Sequence, residues 1–193
     1  MERIAVFCGS KSGSKPIYAD AARALGRALA EQQIELVYGG GSIGLMGVLA
    51  DAVIAAGGRV IGIIPYGLAQ KEVMHEGLSD LRLVRTMHER KAMMASLADG
   101  FMALPGGLGT MDEFFEILTW AQLGEHAKPI GILNTARFYD PLLAYLQNMV
   151  SEGFVKKSNL DLFITETDVS VLLDRLQIFR SIPAEPWIDA STT

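Results

Sequence analysis

The chain has 193 residues and a mass of 20.9 kDa, and because 50% of its residues are hydrophobic it can bury a core without disulfides or metals. Its formal charge of -5, with lysines and arginines thinly spread, excludes the basic stripe that binds a nucleic acid polymer. Cys8 is the single cysteine, so neither an internal disulfide nor a cysteine cluster for a metal can form, and we expect no metal site.

The apolar stretches of the chain are too short or too interrupted for a membrane segment. Residues 4–8 form a run of five, and residues 48–69 are broken by Asp51, Arg59 and several glycines. We therefore expect no membrane partner, and we expect the protein to stay in the cytoplasm.

Short runs rich in β-branched residues alternate with segments of helical periodicity, which is typical of βα units around a parallel sheet. The predicted strands are residues 4–8, 35–38, 59–64, 81–85, 100–104, 129–133 and 161–164. The predicted helices are residues 16–31, 44–56, 87–98, 110–123, 139–152 and 169–179. This order predicts a Rossmann-like, doubly wound α/β fold with a seven-stranded, mainly parallel sheet and helices on both faces.

The connections between these elements are short except for residues 65–80. A connection of that length in a small domain is a candidate lid or site loop. Residues 1–182 show no linker, so we expect them to form a single domain. Residues 183–193 contain two prolines and end in Ser-Thr-Thr, which indicates a tail with little structure of its own.

Two glycine-rich turns each follow a predicted strand and open a predicted helix. They are Gly39-Gly40-Gly41-Ser42-Ile43-Gly44 and Pro105-Gly106-Gly107-Leu108-Gly109-Thr110. Glycines let backbone N–H groups approach an anion at a helix N-terminus, and both turns should open at the carboxyl edge of the sheet. A tight turn can need glycine for steric reasons alone, but two such turns favour a phosphate or carboxylate ligand.

A dinucleotide cofactor is not favoured, although Gly39, Gly41 and Gly44 match the GxGxxG pattern. That pattern also needs an acidic residue at the end of the next strand, which here ends Ile63-Ile64-Pro65. Neither turn leads into Gly-Lys-Ser/Thr, so a Walker A loop is excluded.

Arg90 falls in the middle of an apolar helical stripe that includes Met87, Met93, Met94 and Leu97. A guanidinium there is costly unless it meets an anion or lies at the rim of a cleft. One alternative is an arginine that reaches water or pairs with a structural acid. The other is an arginine that faces a ligand. Lys91 lies on a different face and could be an ordinary solvated side chain.

Glu113 also has two interpretations. The segment Thr110-Met111-Asp112-Glu113 matches a T-x-x-E capping box, in which Glu113 bonds a backbone N–H at the helix start. The helix is apolar on nearly every side, however, and Glu116 lies one turn after Glu113. Two carboxylates beside a phosphate-type turn suit cleavage of a glycosidic bond. Glu116 could instead pair with a cation across an interface.

At these residues the chain resembles the LONELY GUY family, the cytokinin riboside 5'-monophosphate phosphoribohydrolases once labelled lysine decarboxylase-like. The family's PGGxGTxxE motif runs unbroken from Pro105 to Glu113. The segments Phe7-Cys8-Gly9-Ser10, Gly39 to Gly47 and Met87-His88-Glu89-Arg90-Lys91 are similar to its other loops, and the resemblance covers about residues 4–165.

The resemblance implies a homodimer that hydrolyses the N-glycosidic bond of a purine nucleoside 5'-monophosphate without metal or cofactor. It implies Arg90 and Glu113 as catalytic residues. It implies substrate contacts from Gly9, Ser10, Gly40, Gly41, Ser42, Glu72, Met87, Lys91, Gly106, Gly107, Gly109, Thr110 and, more weakly, Thr119. The base could be adenine or an N6-modified adenine.

Two other functions remain open on the residues alone. A carrier of the same fold could bind a nucleotide or cofactor without turnover. A nucleoside phosphorylase or transferase would require inorganic phosphate or an acceptor base. Nothing identifies a lysine for a pyridoxal Schiff base, so the decarboxylase label finds no support.

Overall fold

The computed structural model describes residues 1–69 and 74–180, whose seven strands form one sheet. The strand order is β4-β3-β2-β1-β5-β6-β7, and all neighbours pair in parallel. The strands are β1 Arg3–Phe7, β2 Glu35–Tyr38, β3 Val60–Pro65, β4 Asp80–Val84, β5 Gly100–Ala103, β6 Ile130–Leu133 and β7 Ile164–Glu166. The predicted seven-stranded doubly wound sheet is confirmed.

Seven α-helices are described between and after these strands. They are α1 Pro16–Glu31, α2 Gly44–Ala55, α3 Tyr66–Ala69, α4 Met87–Leu97, α5 Leu108–Leu123, α6 Asp140–Ser151 and α7 Val169–Ile178. Apolar side chains of α1, α2 and α7 fill the core on one face of the sheet. Side chains of α4, α5 and α6 fill the core on the other face. The short helix α3 lies within the long connection and was not predicted.

The last predicted strand was wrong in position. Residues 161 and 162 close a 3-10 turn, Lys157–Leu162, and the strand starts at Ile164. Leu162 and Phe163 are partly buried against the core beside α5, so their apolar character reflects packing of a turn. The pairing of Ile164 with Gly131 then sets the register of β7.

The order of the strands places the site. Connections from β1 run outward through β2, and the chain returns to the other side of β1 at β5. In parallel sheets, ligands bind at the carboxyl ends of the strands where this direction reverses. The turns after β1, β2 and β5 all meet at that point.

Loss of the hydroxyl group should affect the free energy of unfolding differently at two buried tyrosines of the core, Tyr139 and Tyr38. Tyr139 donates to the Leu104 carbonyl at 2.6 Å, whereas the Tyr38 hydroxyl has no hydrogen-bond partner among the described residues. We expect Tyr139→Phe to lower the free energy of unfolding by about 1–3 kcal/mol, because it leaves a buried carbonyl unsatisfied. Tyr38→Phe should be neutral or stabilising. Urea denaturation checks both, and equal losses would contradict this assignment.

Candidate active site

Three loops pack against one another at the carboxyl ends of β1, β2 and β5. The first loop is residues 8–15, the second is residues 39–43 and the third is residues 104–107. The Gly9 N–H donates to the Pro105 carbonyl at 3.1 Å, and the Leu45 N–H donates to the Gly9 carbonyl at 3.0 Å. Gly44 has a φ of 61°, and a Cβ there would lie 2.3 Å from the Ser10 carbonyl carbon. The close packing of these loops therefore depends on glycine at position 44.

A cavity of about 360 Å³ opens between the first and third of these loops. Its walls include Lys11, Gly106 and Gly107, and the rings of Tyr18 and Phe138, which pack edge to face at 5.8 Å between centroids. Lys11 replaces the small polar residue that we expect in the first loop. The cavity therefore combines backbone groups at a helix start with a cationic side chain and an aromatic wall.

Helix α5 begins earlier than predicted. Gly107 is its N-cap and Leu108 its first residue, so Glu113 falls in the second turn, and the alternative of a capping box starting at Thr110 is excluded. Thr110 is instead buried in the first turn, next to Gly106. A Cβ on Gly107 or Gly109 would meet nothing within 4 Å. The backbone N–H groups in the first turn of α5 have no hydrogen-bond partner within the helix. Open space lies next to them, and the helix dipole favours an anion there.

The guanidinium of Arg90 is buried on α4. The residue is 6% exposed, which rules out an arginine that reaches water. Its Nη1 contacts the Met87 sulfur at 3.7 Å, and its Nε has no hydrogen-bond partner among the described residues. A buried charge with so few strong hydrogen bonds indicates a site that a ligand completes.

Glu113 faces this guanidinium from α5. Its Oε1 lies 3.9 Å from Arg90 Nη2, which is an ion pair but too long for a hydrogen bond. The Glu113 side chain is 11% exposed. The structure thus brings together the two residues predicted to be catalytic, on different helices and with little access to water.

Lys91, which follows Arg90 on α4, forms ion pairs with carboxylates on α5. Its Nζ lies 3.1 Å from Asp112 and 3.0 Å from Glu116, and its side chain is 11% exposed. Burial alone would lower the pKa of Lys91, but the hydrogen bonds that its ammonium donates to Glu116 and Asp112 raise the pKa above the ordinary value. The alternative of an ordinary solvated side chain is therefore excluded for Lys91. Glu116 pairs with this lysine of its own chain.

Cys8 lies directly after β1 and is buried. Burial raises the pKa of its thiol far above the ordinary value, and the charge of Glu113 raises it further, against a smaller opposite effect of Arg90. These couplings indicate that Cys8 lies close to Glu113 and Arg90. The thiol is neutral and unreactive there.

The second loop contacts the long connection. The Gly40 carbonyl accepts from the His75 N–H at 3.2 Å, and Gly41 forms a β-bridge with Met74. Met74 and His75 of the long connection therefore lie against the second loop, as expected if this connection is a loop of the site. Glu72, predicted to contact substrate from this connection, lies outside the described residues.

The remaining residues that were predicted to contact substrate lie at different distances from Arg90 and Glu113. Met87 touches Arg90, and Ser42 packs through its carbonyl against Gly47 at the start of α2. Thr119 donates to the Phe115 carbonyl at 2.7 Å, and six residues separate it from Glu113, about 9 Å along the helix. Nothing in the described geometry links Thr119 to Arg90 or Glu113.

Two contacts within the site are absent from the sequence prediction: the ion pairs of Lys91 with α5, and the contact of Gly39 with Arg90. The Lys91 bridge could not be predicted because it depends on the angle between α4 and α5. Gly39 was noticed only as part of a glycine pattern, although it touches Arg90 closely. The signal for Gly39 in the sequence is the run of three consecutive glycines, Gly39-Gly40-Gly41.

No group of three His, Cys, Asp or Glu side chains in residues 1–69 and 74–180 could hold a metal ion. In the same ranges, no helix has the length and hydropathy needed to cross a membrane.

Comparison with known proteins shows the family of the chain. A family model described as "possible lysine decarboxylase" matches residues 46–176. A "probable cytokinin riboside 5'-monophosphate phosphoribohydrolase" of Oryza sativa subsp. japonica is 50% identical over 91% of this chain and 77% of its own length. A cytokinin riboside 5'-monophosphate phosphoribohydrolase of Arabidopsis thaliana is 49% identical over 91% of this chain and 82% of its own length. The chain belongs to the LONELY GUY family.

Solved structures share the fold of this LONELY GUY chain at lower identity. The Moco carrier protein from Chlamydomonas reinhardtii has a TM-score of 0.67 and 19% identity, over 91% of this chain and 94% of that chain. The molybdenum cofactor binding protein from Rippkaea orientalis has a TM-score of 0.67 and 20% identity, over 91% and 94%. At such identities the likeness concerns the fold alone.

The buried Cys8 of this family member predicts a thiol that is protected in the folded protein. We expect labelling by a thiol reagent at pH 8.5 to be at least roughly tenfold slower in the native state than in urea, because the thiolate is the reactive form. Absorbance of the released chromophore measures the rate. The unfolded chain, which should label once, is the control, and rapid labelling of native protein would contradict the assignment.

Proposed function

We propose that this protein hydrolyses the N-glycosidic bond of purine nucleoside 5'-monophosphates to free base and ribose 5-phosphate. The observation that carries the proposal is the buried pair of Arg90 and Glu113, 3.9 Å apart beside a glycine-rich helix start. The activity named for relatives that are 44–50% identical supports it. We propose an N6-modified adenine, as in cytokinins, or adenine itself as the base.

The 5'-phosphate is proposed to bind at the start of α5. Backbone N–H groups and the helix dipole favour an anion there, and Gly107 and Gly109 leave space for it. Lys11 in the adjoining cavity adds a positive charge. Binding the phosphate orients the ribose, so a nucleoside without it should react poorly.

Glu113 is proposed to position the attacking water and to stabilise positive charge at the anomeric carbon. As the water oxygen bonds to this carbon, the bond to the purine nitrogen breaks and its electron pair goes to the base, which takes up the proton that the water loses. Arg90 stabilises the negative charge that builds on the leaving base. The low exposure of both side chains strengthens these electrostatic effects. No cofactor is required.

The proposed substrate contacts are those that the family resemblance implies, and among the described residues all but Thr119 lie in the loops or near the starts of α4 and α5. They are Gly9, Ser10, Gly40, Gly41, Ser42, Glu72, Met87, Lys91, Gly106, Gly107, Gly109, Thr110 and Thr119. Lys91 would act while bound to Asp112 and Glu116, so its proposed part in binding is electrostatic.

Substitution of the two central residues tests the mechanism. We expect Glu113→Gln to lower kcat roughly 10²–10⁴-fold and Arg90→Ala roughly 10²–10³-fold, because each removes stabilisation of charge in the transition state. Chromatography of AMP and N6-isopentenyl-AMP reactions measures base and ribose 5-phosphate. Adenosine, which lacks the phosphate, should release at least roughly 10²-fold less adenine.

The matched controls are Glu35→Gln and Arg59→Ala, a salt-bridged pair at the opposite edge of the sheet that should retain wild-type kcat. Absence of base release from every purine monophosphate would overturn the proposal. An intact bound nucleotide would then favour a carrier. Release that requires inorganic phosphate or an acceptor base would indicate a phosphorylase or transferase.

We also propose that the protein is a homodimer with its sites near the interface. Leu108, Met111, Phe115 and Leu118 follow one another along a single face of α5 at helical spacing. Leu108 is 92% exposed, and the other three are only partly buried. A second copy covering this stripe would remove an apolar surface from water.

The stripe predicts which substitution separates the subunits. Sedimentation equilibrium should give twice 20.9 kDa for the wild type and a lower mass for Leu108→Glu, because the new charge would be buried at the interface. Ile178→Glu, an equally simple change at an exposed residue of α7, should leave the mass unchanged. A wild-type monomer would overturn the dimer proposal and leave the hydrolase proposal standing.

Residues 1–182 are proposed to form a single catalytic domain, and residues 183–193, which lie outside the described residues, to be a tail. The cytoplasm is the proposed compartment, because a single cysteine suits a reducing environment.

A further inference from the structure

Gly39 is the first residue after β2, and it touches the guanidinium of Arg90. A Cβ on residue 39 would lie 1.9 Å from Arg90 Nη2 and 3.0 Å from Arg90 Cζ. Gly39 is not among the glycines with positive φ, so its backbone does not require glycine. The guanidinium occupies the volume that any side chain at position 39 would need.

The other contacts of Arg90 cannot hold the guanidinium in place by themselves. The Met87 sulfur is a weak acceptor at 3.7 Å, and Glu113 Oε1 is beyond hydrogen-bond distance at 3.9 Å. The position of the guanidinium therefore depends on the walls of its pocket. The backbone of Gly39 is one wall, and the Met46 sulfur lies 3.3 Å from the same Cβ position.

We infer that Gly39 is a positioning residue for the glycosidic cleavage, acting through Arg90. The inference rests on the proposed function, in which Arg90 must face both Glu113 and the substrate. Without a side chain at position 39, Nη2 lies against the backbone at the end of β2. From there the guanidinium faces Glu113 Oε1.

An alanine at position 39 should displace the guanidinium without unfolding the protein. The atom that the new methyl group meets is the end of a flexible side chain, which can move at modest cost. Relief of the overlap needs a shift of about 1.5 Å or more, since carbon and nitrogen atoms pack at about 3.5 Å. A displacement of that size at a catalytic group costs on the order of 10²-fold in rate.

The test compares Gly39→Ala with wild type and with Gly131→Ala. Gly131 lies in β6, where an added Cβ would also meet only ends of side chains, Leu172 and Leu176, at 3.0–3.2 Å. We expect Gly39→Ala to lower kcat by roughly 10²-fold with KM changed less than about threefold, because a transition-state contact is lost. Gly131→Ala should keep wild-type kcat. Thermal unfolding should show both variants folded.

A double-mutant cycle with Arg90→Ala distinguishes positioning from a purely structural effect. Once the guanidinium is removed, Gly39→Ala should change the residual kcat less than about twofold, because the two substitutions act on one contact. An equal loss in both backgrounds would overturn the inference. So would a folded Gly39→Ala variant with wild-type kcat. If wild type itself releases no base, the proposed function fails, whereas these outcomes in an active wild type count against Gly39 alone.

Discussion

A guanidinium is charged at every physiological pH, and the one on Arg90 is almost completely buried. Such a charge is costly unless its surroundings compensate it, and here the compensation is incomplete. A carboxylate on Glu113 lies just beyond hydrogen-bond distance and a thioether on Met87 contributes a weak contact. A ligand with partial negative charge would complete this environment. The arrangement is better suited to a transition state in which charge separates than to a neutral ground state.

The fold makes this arrangement possible by bringing distant segments to one point. Arg90 comes from α4, which follows a strand at one end of the sheet, whereas Glu113 comes from α5, which follows the strand next to β1. The two residues meet because the chain returns to the middle of the sheet between them. The same return places the first loop, through Gly9, against the third loop at Pro105. The cavity between these two loops and the Arg90–Glu113 pair therefore lie at the same end of the sheet.

Most of the fold could be predicted from the sequence, because alternating strand and helix periodicities are local properties. The helix Pro16–Glu31 and the strand Glu35–Tyr38 have the predicted bounds. The last strand could not be placed, since the apolar residues before Ile164 pack as a turn. The residues of the site were predicted from motifs, but their contacts were not. A solvated Lys91 could not be excluded from the sequence, because its partners on α5 are more than 20 positions away in the chain.

The bridge from Lys91 to Asp112 and Glu116 affects the electric field at Arg90 and Glu113. Three carboxylates within two turns of α5 would repel one another, and the ammonium offsets two of them next to Glu113. Because the ammonium is mostly shielded from solvent, dissolved ions weaken these attractions less than they weaken pairs on the surface. We therefore expect the contact between Lys91 and Glu116, the more buried of the two carboxylates, to keep most of its strength when the ionic strength of the medium changes.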